Sequence, residues 1–295
     1  MRKISIFGDS ISTFQGSIPE ENRSYYGPDD PNGTGVSDPA QTWWMRVIDN
    51  LGGRLVANAS FSGSTVDGVA FPAGRSMERA QQILGPTGEA PDTVLVFIGI
   101  NDYGWGTVDA QMMAGSEAAP PRPDRWTVPE DLANGIIGNA PIGALQRFAN
   151  AYDEMLENIR LVAPTAEVWC MTLLPGRIRG AQKSAFCHQL RGIDIDEYNK
   201  VIRMAAVANG CKVADIARFG FDYHATDGTH PDKEGMAQIA ELTSAAIEGR
   251  LPDAKLFPPE MASTRFCERT SCIGCPSARS TGTQWSCVCE AHASR

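Results

Sequence analysis

The sequence contains no apolar run long enough to cross a bilayer, which takes about 20 residues. The apolar stretch that begins behind Met1 already ends at Gly8, so it is too short to form the core of a signal peptide. We therefore expect a cytoplasmic protein with no membrane span.

An excess of basic residues is also absent. The chain carries 26 Lys and Arg against 35 Asp and Glu, which gives a formal net charge of -9. Proteins that bind nucleic acid need clustered Lys and Arg to neutralise phosphates, so this balance argues against nucleic acid as a partner. Hydrophobic residues make up 42% and charged residues 21% of the chain, which is typical of a folded globular protein.

Cysteine is scarce over most of the chain and concentrated at its C-terminal end. We expect the isolated Cys170, Cys187 and Cys211 to be free thiols that serve packing. The spacing of the terminal cysteines is compatible with a small structural zinc element, with disulfides, or with free thiols on an unstructured tail. These residues are Cys267, Cys272, Cys275, Cys287 and Cys289.

Apolar runs alternate with helical patterns along most of the chain. The runs that predict strands cover residues 3–7, 54–58, 93–99, 167–174 and 212–216. The patterns that predict helices cover residues 43–51, 77–84, 142–162, 195–208 and 233–247. Strands that alternate with helices pair in parallel through right-handed crossovers, so we predict a five-stranded parallel sheet with helices on both faces.

Two long connections and one change of composition define the organisation around this sheet. Residues 13–41 and 103–140 leave from predicted strand ends, and loops of such length usually enclose a substrate. Behind Arg250, prolines interrupt the helical pattern and the terminal cysteines follow. We therefore predict a main domain over residues 1–250 and a short Cys-rich tail over residues 251–295.

Candidate chemical groups follow the first three predicted strands. Ligands of such sheets bind outside the carboxyl ends of the strands. Ser10 follows the first strand, where a strand-to-helix turn exposes a nucleophile and the helix N-terminus favours developing negative charge. Gly63 follows the second strand and Asn101 the third. The backbone N–H groups of Ser10 and Gly63 and the side-chain amide of Asn101 are the donors that a tetrahedral oxyanion requires.

A late segment, Asp227-Gly228-Thr229-His230-Pro231, supplies a candidate base. The spacing of three residues lets Asp227 turn back to the His230 imidazole and fix its tautomer. His224 is the rival base, but its surroundings lack the Asp-X-X-His-Pro arrangement that leads into a helix. We therefore expect His230 to be the base and Asp227 the carboxylate that orients it.

The order of these segments resembles that of a known family. The segments Gly8-Asp9-Ser10-Ile11-Ser12, Gly63, Gly99-Ile100-Asn101-Asp102 and Asp227-Gly228-Thr229-His230-Pro231 resemble the four blocks of SGNH/GDSL hydrolases. Residues 41–44 and 58–64 are similar to a subgroup of lysophospholipase-like esterases.

This resemblance implies a flavodoxin-like three-layer α/β/α sandwich that needs no metal or other cofactor. By the same resemblance, Ser10 is the nucleophile, Gly63 and Asn101 are oxyanion donors, and His230 is the base oriented by Asp227.

The expected activity is the hydrolysis of a small-molecule carboxylic ester through an acyl-enzyme on Ser10. The ester would carry an acyl or acetyl group on a carbohydrate or a lipid-like alcohol. Two alternatives use the same residues: an acyltransferase, in which an alcohol replaces water, and a non-catalytic module that binds acylated carbohydrate. A third alternative makes the cysteine tail a zinc-dependent partner-binding element. The sequence does not predict an oligomeric state.

Overall fold

A computed structural model describes residues 1–104, 144–180 and 193–263, and describes residues 189–190, 278–281 and 284–287 as strand backbone only. In chain order the strands are β1 (Arg2–Gly8), β2 (Gly53–Asn58), β3 (Thr93–Phe97), β4 (Glu167–Met171), β5 (Gly176–Ile178), β6 (Gln189–Leu190), β7 (Ile193–Asp194), β8 (Lys212–Ala214), β9 (Tyr223–Ala225), β10 (Ala278–Thr281) and β11 (Gln284–Cys287). The α-helices are α1 (Trp43–Asn50), α2 (Met77–Gln81), α3 (Ile100–Gly104), α4 (Ala144–Val162), α5 (Ile195–Ala208) and α6 (Lys233–Glu248).

The main sheet has five parallel strands in the order β2-β1-β3-β4-β8, which confirms the predicted α/β fold. This is the strand order of flavodoxin-like folds, where the chain reverses its direction of travel between β1 and β3. A crevice opens at such a switch point outside the carboxyl ends of the two strands. Ser10 and Asn101 follow the carboxyl ends of these two strands in the sequence.

Apolar residues explain why the strands form the centre of three layers. Every residue of β3 is buried, as expected for a strand that is covered on both faces. Helices α1 and α6 pack together in one outer layer, while α4 packs against α2 and α5 in the other. Trp43 and Trp44 on α1 are fully buried and fill the first of these layers.

Side-chain caps fix where the helices begin. Thr42 accepts a hydrogen bond from the Met45 N–H at the start of α1, and Asp232 accepts one from the Gly235 N–H at the start of α6. Such caps satisfy N–H groups that have no partner inside the helix. Each predicted helix begins and ends within three residues of an observed α-helix. The predicted bounds of residues 195–208 are the same as those of α5.

Short strand pairs complete the described structure. β5 pairs with β9 in parallel, while β6 with β7 and β10 with β11 form antiparallel pairs. Residues that follow Arg250 in the sequence pack against the main domain: Phe257 stacks on Phe221 with ring centroids 4.5 Å apart, and Met261 is fully buried. The division at residue 250 stays a prediction.

The cysteines divide between the described and undescribed parts of the chain. Cys170 is buried in β4, Cys211 is partly buried, and both are free thiols. Cys187 and the side chains of the terminal cysteines lie outside the described residues. In the part of the chain that the structure describes, no helix has the length and the hydropathy that spanning a bilayer requires.

Candidate active site

Ser10 lies on the first turn behind β1. Asp9 caps this turn, because its carboxylate accepts a hydrogen bond of 3.1 Å from the Ile11 N–H. The turn is so tight that a Cβ atom on Gly8 would lie 2.5 Å from the Ser12 hydroxyl, so only glycine fits there. Ser10 is buried, with 3% of its surface exposed.

The late loop between β9 and α6 brings His230 to Ser10. His230 Nε2 lies 2.8 Å from Ser10 Oγ, and its Nδ1 lies 2.6 Å from Asp227 Oδ2. The other Asp227 oxygen accepts hydrogen bonds from the backbone N–H groups of Thr229 at 2.9 Å and His230 at 2.8 Å. The structure thus joins Ser10, His230 and Asp227 in one hydrogen-bonded row, the geometry of a Ser-His-Asp triad.

Asp227 is held in its ionised form. Burial alone would raise its pKa, but the hydrogen bond and charge of His230, together with the two backbone N–H donors, lower the pKa to about 2. An ionised carboxylate at Nδ1 keeps the proton on that nitrogen, which leaves Nε2 free to accept the proton of Ser10.

Tyr25 covers one face of the His230 ring. The two rings are parallel within 7°, with centroids 3.6 Å apart, and the Tyr25 hydroxyl donates to Asp227 Oδ2 over 3.4 Å. Burial, followed by the charge of Asp227, raises the pKa of Tyr25 to about 12. The adjacent Tyr26 donates a hydrogen bond of 3.0 Å to the Pro231 carbonyl. Part of the long 13–41 loop therefore supports the loop that carries His230.

Hydrogen bonds tie together the turns that follow β2 and β3. Gly63 adopts a φ of 85°, a conformation that favours glycine. The Asn101 side-chain amide donates a hydrogen bond of 2.9 Å to the Ser64 carbonyl. Asp102 accepts hydrogen bonds from the backbone N–H groups of Val66 at 2.8 Å and Asp67 at 3.0 Å, and burial raises its pKa to about 7. Gly63 and Asn101 thus lie in one cross-linked pair of turns.

A fully buried arginine, Arg79 on α2, connects the turns behind β1 and β2. Its guanidinium donates hydrogen bonds to the carbonyls of Gly8 at 2.8 Å, Ala59 at 2.6 Å and Pro72 at 2.7 Å. Burial lowers the pKa of Arg79 to about 9, against the opposing charge of Asp9. Sequence reasoning missed Arg79 and Tyr25, because neither belongs to a local motif.

The remaining histidines do not compete for Ser10 within the described structure. His224 is buried on β9, where its Nε2 lies 3.5 Å from Glu234 Oε1 and its backbone N–H donates to Gln238. His188 and His292 lie outside the described residues. No group of three or more His, Cys, Asp or Glu side chains in the described ranges is arranged to hold a metal ion.

Comparison with known proteins adds a family and a fold. Residues 2–119 match the family described as GDSL-like Lipase/Acylhydrolase. The structure resembles a protein described as a GDSL-like lipase from Bacteroides ovatus, with a TM-score of 0.54, 22% identity, and coverage of 84% of this chain and 99% of that one. A second, from Bacteroides uniformis, gives a TM-score of 0.52, 23% identity, and coverage of 84% and 96%. No sequence among the curated proteins matches the chain.

The family match over residues 2–119 supports an ester-hydrolysing serine hydrolase. The structural likenesses, at such low identity, support the fold alone. Over residues 2–119, the chain is similar to the GDSL-like lipase/acylhydrolase family. Its place in the lysophospholipase-like subgroup stays a prediction.

Proposed function

We propose that the chain hydrolyses a carboxylic ester through a covalent acyl-enzyme on Ser10. The observation that carries this proposal is the continuous row of hydrogen bonds, with 2.8 Å between Ser10 Oγ and His230 Nε2 and 2.6 Å between His230 Nδ1 and Asp227 Oδ2. A serine is a weak nucleophile until an adjacent base takes its proton, and these distances suit that transfer.

The first half of the reaction forms the acyl-enzyme. His230 takes the proton of Ser10 while Oγ attacks the ester carbonyl, and Asp227 stabilises the imidazolium that results. His230 then gives this proton to the departing alcohol oxygen as the C–O bond of the ester breaks. In the second half, His230 takes a proton from water and the hydroxide attacks the acyl carbonyl. The bond between the acyl carbon and Ser10 Oγ then breaks, His230 returns the proton to Oγ, and the carboxylic acid leaves.

The oxyanion of each tetrahedral intermediate needs preorganised donors. We assign this role to the backbone N–H groups of Ser10 and Gly63 and to the Asn101 amide. The Asn101 amide carries two N–H groups, and the Ser64 carbonyl accepts only one of them. Within the described residues, the Gly63 N–H makes no hydrogen bond, so it is available to a ligand.

The substrate that we propose is an acyl or acetyl ester of a carbohydrate or a lipid-like alcohol. The exposure of the base loop supports a bulky alcohol, because 17% of the His230 side chain and 47% of the Asp227 side chain remain exposed. The leaving oxygen has to approach His230, so an alcohol that extends from the site meets solvent on this side. Cleavage here needs no cofactor.

The proposal is tested by the hydrolysis of p-nitrophenyl esters from acetate to octanoate, with EDTA present throughout. We expect the wild-type chain to hydrolyse at least one of these esters and Ser10→Ala to lose that activity. Ser12→Ala is the matched control, since it removes a neighbouring hydroxyl that contacts Trp43 instead of His230. Activity retained in a folded Ser10→Ala variant would contradict the proposal.

Labelling identifies the nucleophile directly. Diethyl p-nitrophenyl phosphate should add a diethyl phosphoryl group to Ser10 with release of p-nitrophenolate, and peptide mass spectrometry should locate the adduct there. Chain-length preference then separates an acetyl esterase from a lipase-like enzyme, and acetylated xylo-oligosaccharides and lysophosphatidylcholine test the two classes of alcohol.

A further inference from the structure

The Tyr25 side chain lies where it can control the orientation of the His230 ring. Hydrogen bonds hold the Tyr25 backbone on both sides, since its N–H donates to Thr13 Oγ1 at 2.9 Å and its carbonyl accepts from the Asn32 amide at 2.7 Å. The phenol ring is partly buried against the core and lies parallel to the imidazole. The ring is therefore presented by a fixed piece of backbone.

Hydrogen bonds alone leave the His230 ring incompletely fixed. The bonds to Asp227 and Ser10 lie at opposite ends of the imidazole and define a line between Nδ1 and Nε2. The ring still has freedom to rock about that line. A flat surface 3.6 Å away removes this freedom, and Tyr25 supplies one.

We propose that Tyr25 is a positioning residue that fixes the plane of the His230 imidazole and stabilises the imidazolium formed when Ser10 attacks. This inference rests on the roles of Ser10 and His230 in the proposed function. A neutral imidazole gains little from lying squarely over a phenol ring, because aromatic pairs favour offset or edge-to-face arrangements. A cation over the same ring face is attracted by its quadrupole, so the contact strengthens as the transition state forms.

The phenol hydroxyl has the smaller part in this arrangement. Its hydrogen bond to Asp227 spans 3.4 Å, which is long for an O–H donor. Asp227 Oδ2 already accepts the 2.6 Å hydrogen bond from His230, and the other carboxylate oxygen is occupied by backbone donors. The ring face, and not the hydroxyl, is the part of Tyr25 that we expect to matter.

Three variants separate these contributions. Tyr25→Phe keeps the ring face and removes the hydroxyl, while Tyr25→Leu removes the ring face and keeps an apolar side chain. Tyr26→Phe is the matched control, because it removes the neighbouring hydroxyl that donates to the Pro231 carbonyl and so loosens the same loop. The measurements are kcat and KM for the preferred p-nitrophenyl ester, the rate of inactivation by diethyl p-nitrophenyl phosphate, and thermal unfolding.

We expect Tyr25→Leu to lower kcat roughly tenfold, the size of a partly desolvated cation–π contact, with KM within about twofold of wild type. Inactivation should slow by a similar factor, since this reaction uses the same base but attacks a phosphate triester instead of a carboxylic ester. Tyr25→Phe and Tyr26→Phe should both stay within about threefold of wild type in kcat.

Several results would overturn the inference. Full kcat in a folded Tyr25→Leu variant would remove the role of the ring, and an equal loss in Tyr25→Phe would assign the effect to the hydroxyl. An equal loss in Tyr26→Phe would reduce it to loosening of the loop. Ser10→Ala is measured alongside: activity retained there overturns the proposed function as well, whereas an inactive Ser10→Ala with a full-rate Tyr25→Leu overturns this inference alone.

Discussion

Replacing Arg79 by methionine tests whether a buried cation holds the turns of the candidate active site together. Methionine has a similar length and is apolar, so Arg79→Met removes the charge and its donors with little change of volume. Three backbone carbonyls then lose a hydrogen bond, those of Gly8, Ala59 and Pro72. The first two belong to the segments that lead into Ser10 and Gly63.

The size of the effect follows from which carbonyls keep a donor. Gly8 still accepts from the Phe61 N–H at 3.2 Å, whereas the described residues offer no other donor to Ala59 or Pro72. A buried acceptor without a partner costs about 1–3 kcal/mol, so two of them cost about 2–6 kcal/mol. Removing a buried charge offsets part of this cost, because burial already lowers the pKa of Arg79 to about 9. We expect a net loss of about 3 kcal/mol.

Urea unfolding followed by circular dichroism measures this loss, and ester hydrolysis by the folded variant measures the displacement of the turns. Arg54→Met is the control, since Arg54 is an arginine that pairs with Glu89 at the surface with 43% of its side chain exposed. This control should lose less than about 1 kcal/mol. If Arg79→Met is destabilised no more than Arg54→Met and retains full kcat, the guanidinium is not what anchors these turns.

Three further outcomes follow from the site. Asp227→Asn should lower kcat by about 10²–10⁴-fold in ester hydrolysis, because the amide no longer fixes the tautomer of His230. Asn101→Ala should lower kcat by about 10²-fold with a smaller change in KM, as expected for a donor to the oxyanion. Burial raises the pKa of Asp9 and of Asp102 to about 7, above the unfolded value of about 3.9. Their contribution to the free energy of unfolding is therefore present at low pH and lost as pH rises from about 4 through 7. In Asp102→Asn, the midpoint of urea unfolding should change less with pH over this range.

Much of the fold was predictable because its signals are local. The run of residues 94–98 is apolar at every position, which marks a strand covered on both faces, and the 3.6-residue period of residues 195–208 marks a helix. Alternation of such elements determines the sheet type, and the sheet type determines the edge where ligands bind. Ser10 and Asn101 were therefore expected at one edge.

Other features have no local signal. The strand pair β5 and β9 involves three residues each, too few for a period to be read. Tyr25 contacts His230 from a loop rich in turn residues, and nothing around it distinguishes it from Tyr26. Arg79 lies on a short helix, where a basic residue is expected to face solvent. Each of these features depends on a contact between distant segments, which only the folded chain reveals.

The separation in sequence of the proposed nucleophile and the proposed base determines how activity depends on folding. Ser10 and His230 are 220 residues apart in sequence, and no local element holds them together. Their contact depends on the packing of α6 against α1, to which the hydrogen bond from Tyr26 to the Pro231 carbonyl adds a smaller contribution. Such chemistry needs positioning within about 0.5 Å. Partial separation of α6 from α1 should therefore abolish hydrolysis while the strands of the main sheet stay paired. Activity should therefore be lost before the main unfolding transition.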